Sequence, residues 1–313
     1  MARHRADRSD HLPPPQRRRL RRLPRRAAHR TGTAVIAASR YRVALAAAVV
    51  TAVVALGSIA SPALAATTGK GKPGGGGNGN GGGTAQLAYA AVGDSYAAGL
   101  GAGSYLETTC YTSSKGYPAL LDADANLALA ARPACRGATT ADVISKQVPA
   151  LPANAVRVTL TVGGNDVGFA NVMQNCFVLV NSSCESHIVA GETIVQSGTL
   201  AQNVRNTIAA IIAKAPGARV AVTGYPLLFA SISRYQWAAR VNTGTAALND
   251  AIEAAAVQSG AVYVDVESPF AGHGIGSSSP WINDWSWLRS NDSFHANAAG
   301  YQAYAAALRP ALQ

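Results

Sequence analysis

Tyr89-Ala90-Ala91-Val92-Gly93-Asp94-Ser95-Tyr96-Ala97-Ala98-Gly99 is a largely apolar run that breaks at a glycine, continues through Asp-Ser and ends in small residues able to open a helix. Read as a buried strand, the run places Ser95 at the strand's C-terminal end, where open α/β sheets carry their reactive groups. Backbone amides at the start of the following helix then face any negative charge that develops there. Gly, Asp and Ser also favour plain turns. The tripeptide therefore makes Ser95 a candidate nucleophile only if the remaining chain supplies a base, an orienting group and oxyanion donors.

The net charge of +11 raises the question of a nucleic-acid or membrane partner, and its distribution answers it. Residues 1–66 hold 13 Arg and no Lys against Asp7 and Asp10, whereas residues 67–313 hold 14 basic and 14 acidic residues. The folded part is neutral, which excludes a basic nucleic-acid-binding surface as its organising feature. In the N-terminal segment an Arg-rich stretch precedes the 18-residue apolar run Val43–Ala60 and the small-x-small site Ala63-Leu64-Ala65. That pattern is expected to direct export with cleavage near Ala65 and Ala66; a retained membrane anchor over 43–60 is the alternative. Residues 67–84, TTGKGKPGGGGNGNGGGT, are too rich in glycine to order and read as a flexible linker. The folded domain is then 85–313, long enough for one core.

Within it, apolar strand-like runs alternate with helical periodicity, which argues for a parallel sheet with helices on both faces, a three-layer α/β/α sandwich. Strands are expected at 87–92, 126–130, 155–162, 219–223 and 261–266. Helices are expected at 117–121, 140–147, 199–214, 238–258 and 298–312. All four cysteines fall in this domain. An even count in an exported chain favours disulfides, and of three possible pairings Cys110–Cys135 and Cys176–Cys184 close the most local loops. No Cys-x-x-Cys or paired histidine supports zinc, and neither a metal nor a cofactor is expected.

Three histidines lie in the domain: His187, His273 and His295. His187 reads as an exposed loop residue beside Cys184, and His273 as part of a glycine-flanked turn. His295 follows Asp292 by three residues, a spacing that lets a carboxylate hold Nδ1–H while Nε2 takes a proton. Two other glycine turns follow strands. Gly137 offers an unobstructed backbone N–H, and Gly163-Gly164-Asn165-Asp166 offers the Asn165 amide. With the Ser95 N–H these are three oxyanion donors at one sheet edge. Asp94 and Asp166 read as structural hydrogen-bonding groups of the turns.

Taken in order, Gly93-Asp94-Ser95, Gly137, Gly163-Gly164-Asn165-Asp166 and Asp292-x-x-His295 resemble the four blocks of the SGNH hydrolases, or GDSL esterases and lipases. GDSYAAGLGAG, CRGATT and FAGHG bring the chain closer to the secreted actinobacterial branch of that family. The resemblance spans 85–313 and implies a flavodoxin-like five-stranded parallel sheet in order 2-1-3-4-5. It implies Ser95 as nucleophile, His295 as base, Asp292 as its orienting partner, and Ser95, Gly137 and Asn165 as the oxyanion hole. Some relatives replace the aspartate by a backbone carbonyl; because Asp292 is present, a full triad is expected. The implied activity is hydrolysis of lipid or short-acyl esters by a monomer, with transient membrane or cell-wall contact. Trp281, Trp285 and Trp287, with Tyr105, Phe169, Phe177 and Phe229, could line an apolar cleft or stack on sugars. A carbohydrate O-deacetylase and a non-catalytic binding protein are the rival readings. An α/β-hydrolase fold is disfavoured, since no Gly-x-Ser-x-Gly occurs.

Overall fold

The structure, a computed structural model, describes residues 85–313. The expected export segment, its cleavage site and the glycine-rich linker lie outside the described residues.

Five strands form one all-parallel sheet: β1 (Leu87–Gly93), β2 (Leu127–Ala131), β3 (Arg157–Thr161), β4 (Arg219–Thr223) and β5 (Val262–Val264), in spatial order β2-β1-β3-β4-β5. The expected three-layer architecture and strand order are both present. Helices α2 (Tyr117–Asp122) and α9 (Ala298–Leu312) cover one face, where Tyr117 and Tyr304 stack at 5.5 Å. On the other, α6 (Thr199–Lys214) packs against α7 (Ala238–Gln258). The apolar stripe of α6 explains this: Leu200, Val204, Ile208 and Ile211 recur at helical spacing and are fully buried.

The longest helix to escape the sequence reading lies before α6. Cys184–Gln196 forms α5, so His187 sits on a helix and not in a loop. Both expected disulfides are present, Cys110–Cys135 and Cys176–Cys184. The second ties the start of α5 to the π-helical turn Gln174–Val178 that follows α4 (Phe169–Met173).

The core is unusual in its buried hydroxyls, each of which needs a partner. Tyr89 meets Thr159 at 2.9 Å and Tyr117 meets Thr161 at 3.0 Å; Thr161 also meets Thr223 at 2.6 Å. Alternation along β3 turns Thr159 and Thr161 to this seam and Val158 and Leu160 to the opposite face. From α9, Tyr301 donates to the Leu100 carbonyl at 2.8 Å and Tyr304 to the Gly224 carbonyl at 2.9 Å. These bonds pin the loops at the C-terminal ends of β1 and β4.

At the end of β1 the chain crosses very close to β3. Gly93 has φ +134°, and a Cβ there would lie 2.0 Å from the Thr161 carbonyl oxygen. The buried Gln147 amide closes on the same residue, accepting from Gly93 N–H at 2.7 Å and donating to its carbonyl at 2.8 Å. Gly93→Ala is therefore expected to abolish the native fold, read as loss of the cooperative thermal transition. A Tm within a few degrees of wild type would contradict the close approach.

Candidate active site

Ser95 is the first residue of α1 (Ser95–Ala98), a helix of only four residues. Asp94 caps it by accepting from Tyr96 N–H at 2.9 Å, and Gly99 ends it in the left-handed region. So short a helix contributes local N–H groups and no appreciable macrodipole. The turn is held from below. Asp94 Oδ2 accepts from the Tyr225 hydroxyl at 2.6 Å, and the same hydroxyl accepts from Gly164 N–H at 3.0 Å. Burial pushes the Asp94 carboxyl up to about 7, opposed by the donated Tyr225 and Tyr96 hydrogen bonds. This network joins the first and third sequence blocks through a tyrosine that neither contains.

His295 is brought to Ser95 across 200 residues of chain: its Nε2 stands 2.8 Å from Ser95 Oγ. Tyr96, next to the serine, donates to the Phe294 carbonyl at 2.9 Å, and its ring lies 5.2 Å from the imidazole. The group at Nδ1 differs from the sequence expectation. It is the Ser293 backbone carbonyl, at 2.9 Å, and not the Asp292 carboxylate. Phe294 adopts φ +62°, a left-handed turn that lets a carbonyl two residues back face the imidazole. The Asp292 carboxylate instead accepts a hydrogen bond from the Tyr105 hydroxyl, which in turn accepts from Gly101 N–H at 2.9 Å. Asp292 still acts on His295 through its charge, which favours the imidazolium. Burial is the larger effect and lowers the His295 pKa to about 4.

The expected donors are also near. The loop carrying Gly137 is tied to the end of β1 by Cys135 N–H donating to the Gly93 carbonyl at 3.1 Å. Gly137 has φ +76°, and nothing stands within 4 Å of where its Cβ would be. Asn165 donates one amide hydrogen to the Ala138 carbonyl at 3.0 Å, which orients the side chain and leaves its second hydrogen unused. Ser95 and Asn165 line the same small cavity, together with Phe169 and Tyr225. Among the described residues no acceptor takes up the Ser95 or Gly137 N–H. Asp166 receives the N–H and hydroxyl of Thr140, matching the structural role expected of it.

Other expected residues fall away from this centre. His273 stacks on Trp281 at 3.6 Å and engages the Ser279 carbonyl at 2.7 Å, a loop brace. Phe177 and Phe229 stack on each other at 4.6 Å in the core, and Trp285 lies against Phe294. Of the aromatic residues considered for a cleft, Phe169 reaches the cavity at Ser95. The roles of Gln147, Tyr225 and the Ser293 carbonyl were absent from the sequence reading, and Tyr105, considered there for a cleft, instead holds Asp292.

Comparison with known proteins places the chain in a family. The family model of the GDSL-like lipases and acylhydrolases matches residues 91–303. The chain belongs to that family. It is 37% identical over 220 residues to Lipase 1 of Streptomyces coelicolor, covering 68% of this chain and 81% of that one. Among solved structures, a phospholipase A1 from Streptomyces albidoflavus superposes with a TM-score of 0.67 at 36% identity. An extracellular lipase from Streptomyces rimosus gives 0.66 at 33%. Each comparison covers 72% of this chain and 99% of the other. This family member is accordingly a carboxylic ester hydrolase, with the α/β fold and the SGNH blocks of the actinobacterial lipases.

The burial of His295 sets a pH dependence. With its pKa lowered from 6.5 to about 4, the imidazole stays neutral, and able to accept a proton, well into the acidic range. The acid limb of kcat/KM is expected near pH 4; a limb centred at 6.5 or above would show a solvated imidazole. The same shift makes the unfolded chain bind more protons between pH 6.5 and 4, so stability falls as pH drops through that window. A second expectation concerns the turn. Asp94→Asn turns an amide donor toward a Tyr225 hydroxyl already engaged by Gly164 N–H, and should cost about 1–3 kcal/mol of stability in denaturant titration.

Proposed function

We propose that this GDSL-family enzyme hydrolyses acyl esters through an acyl-enzyme on Ser95, with His295 as base and acid. The observation that carries the reading is the 2.8 Å contact between Ser95 Oγ and His295 Nε2. The Ser95 hydroxyl proton passes to His295 Nε2 as Oγ bonds to the ester carbonyl carbon. The resulting oxyanion is held by Ser95 N–H, Gly137 N–H and Asn165 Nδ2. The carbon–oxygen bond to the alcohol then breaks, and the alcohol leaves with the proton from His295. Water, deprotonated by the same nitrogen, attacks the acyl carbon and releases the acid, returning the proton to Ser95.

Asp292 has a smaller part in this reading than a triad would give it. The Ser293 carbonyl holds Nδ1–H, so it keeps the imidazole tautomer and orientation, while Asp292 supplies distant charge that steadies the imidazolium. The pair works as a dyad braced by the backbone.

The reading extends to location and domain plan. Export is supported by the Val43–Ala60 run with its Ala63-Leu64-Ala65 site, by two disulfides, and by the extracellular character of the Streptomyces rimosus relative. On this plan residues 67–84 form a glycine-rich linker ahead of a catalytic domain spanning 85–313. Among the described residues no helix is long and apolar enough to cross a membrane.

Two measurements test the mechanism. A fluorophosphonate probe should label the wild-type enzyme at Ser95, and Ser95→Ala should abolish both labelling and p-nitrophenyl ester hydrolysis; undiminished labelling would sink the nucleophile assignment. Asp292→Ala should keep kcat/KM within about tenfold of wild type. Loss of an orienting aspartate elsewhere costs about 10⁴, and a fall of that size would restore the triad.

A further inference from the structure

The loop that leaves α1 lies directly against the histidine. Leu100 N–H donates to the Ser95 carbonyl at 2.9 Å, so the Leu100–Gly101 peptide is one hydrogen bond from the nucleophile's own backbone. Gly101 has φ +96°, and a Cβ there would stand 2.8 Å from the His295 Cβ and 2.5 Å from the Ala296 carbonyl oxygen. A glycine is what lets the serine loop and the histidine segment come this close.

Both polar atoms of Gly101 are gripped. Its N–H donates to the Tyr105 hydroxyl at 2.9 Å, and that hydroxyl donates in turn to the Asp292 carboxylate. Its carbonyl accepts from the Asn283 side-chain amide at 3.0 Å. The same nitrogen reaches the His295 carbonyl at 3.2 Å and the Asp292 carbonyl at 3.3 Å, so two amide hydrogens are shared among three carbonyls. Among the described residues no other donor reaches the Gly101 carbonyl. The main chain of Asn283 is secured separately. Its N–H donates to the His295 carbonyl at 2.9 Å, and its carbonyl accepts from Phe294 N–H at 2.8 Å. An asparagine side chain more commonly serves its own turn. This one is not needed to hold its own backbone, and it joins the loop of the nucleophile to the segment of the base.

We propose that Asn283 and Tyr105 are positioning residues for the reaction, clamping the Gly101 peptide between the two segments and so holding Ser95 Oγ and His295 Nε2 at transfer distance. Neither side chain touches the reacting atoms. The inference rests on the Ser95–His295 reading of the mechanism. Tyr96 and Tyr301 remain bonded to the Phe294 and Leu100 carbonyls when the clamp is removed, so the spacing loosens without either segment coming free. Loosening is costly to the chemistry, because a misplacement of about 1 Å can slow a reaction about 10²-fold.

The test follows wild type, Asn283→Ala and Tyr105→Phe through reaction with a fluorophosphonate probe, recording both the rate constant and the final fraction labelled, with kcat and KM on p-nitrophenyl acetate alongside. Measurements are made at pH 8, far above the acid limb expected near pH 4, so a change in His295 protonation does not enter. In Asn283→Ala the labelling rate constant and kcat should fall together by about 10- to 100-fold, with KM and the final fraction labelled unchanged. Tyr105→Phe should show the same pattern at smaller amplitude. A role in folding alone gives the opposite signature, a reduced final fraction labelled at the wild-type rate constant. That result, a wild-type rate constant with full labelling, or a loss carried by KM overturns the proposal. If Asn283→Ala does not fold, Tyr105→Phe, which removes only a hydroxyl, decides by the same readouts. A wild-type enzyme that is not labelled at Ser95 removes the Ser95–His295 reading and the clamp with it, an outcome distinct from a labelled wild type whose variants react normally.

Discussion

The hydrogen bond between Ser95 and His295 has to be made by residues 200 positions apart. No local preference can do that, and two side chains brought together at such separation hold only if their own backbones are fixed. The fixing is done by phenols. Tyr96 bonds the Phe294 carbonyl, Tyr301 bonds the Leu100 carbonyl, and Tyr225 bonds Asp94 beside the nucleophile. Each such bond contributes on the order of 1 kcal/mol net, but a buried hydroxyl left unpaired costs more than that. The tyrosines therefore specify one arrangement of the serine and histidine segments more than they add to stability.

The same packing governs the chemistry. Closing aromatic side chains around the imidazole removes water, and desolvation penalises the cationic form. A carboxylate hydrogen-bonded directly to Nδ1 would counter this strongly. The backbone carbonyl counters it weakly, and Asp292, engaged by Tyr105, counters it only at a distance. His295 thus rests as a neutral base, and the imidazolium formed during reaction is steadied by dipoles already in place.

Much of this was legible in the sequence. The strand-Gly-Asp-Ser break, the glycine turns after β2 and β3 and the helical stripe of α6 are local patterns, and local patterns survive folding. The two disulfides followed from loop closure. What was not legible has a common physical character. Asp292 sits at a spacing suited to orienting His295, yet the partner is a backbone carbonyl, and every residue has one. Only the left-handed turn at Phe294 selects the carbonyl of Ser293, and a phenylalanine does not announce positive φ. Gln147 and Tyr225 act on Gly93 and Asp94 from far along the chain, so no spacing pointed to them. Helix α5 was missed because its apolar stripe is thin: Ile188 and Gly191 are buried, whereas Val189 is exposed on a sequence that opens with a disulfide cysteine.

The nucleophile follows the first strand of the sheet, and the base precedes the last helix packed on it. Strands β4 and β5, which complete the sheet beyond β3, and α9, which packs against them, all come late in the chain. Such a parallel topology is rich in contacts between distant residues, which makes folding slow and late-closing. A chain emerging from its N-terminal end would carry Ser95 into solvent long before His295 arrived. The serine would then be an ordinary alcohol, without base, oxyanion donors or desolvated surroundings. Partly emerged or truncated chains are in this sense self-silencing, and catalytic competence reports completion of the whole domain.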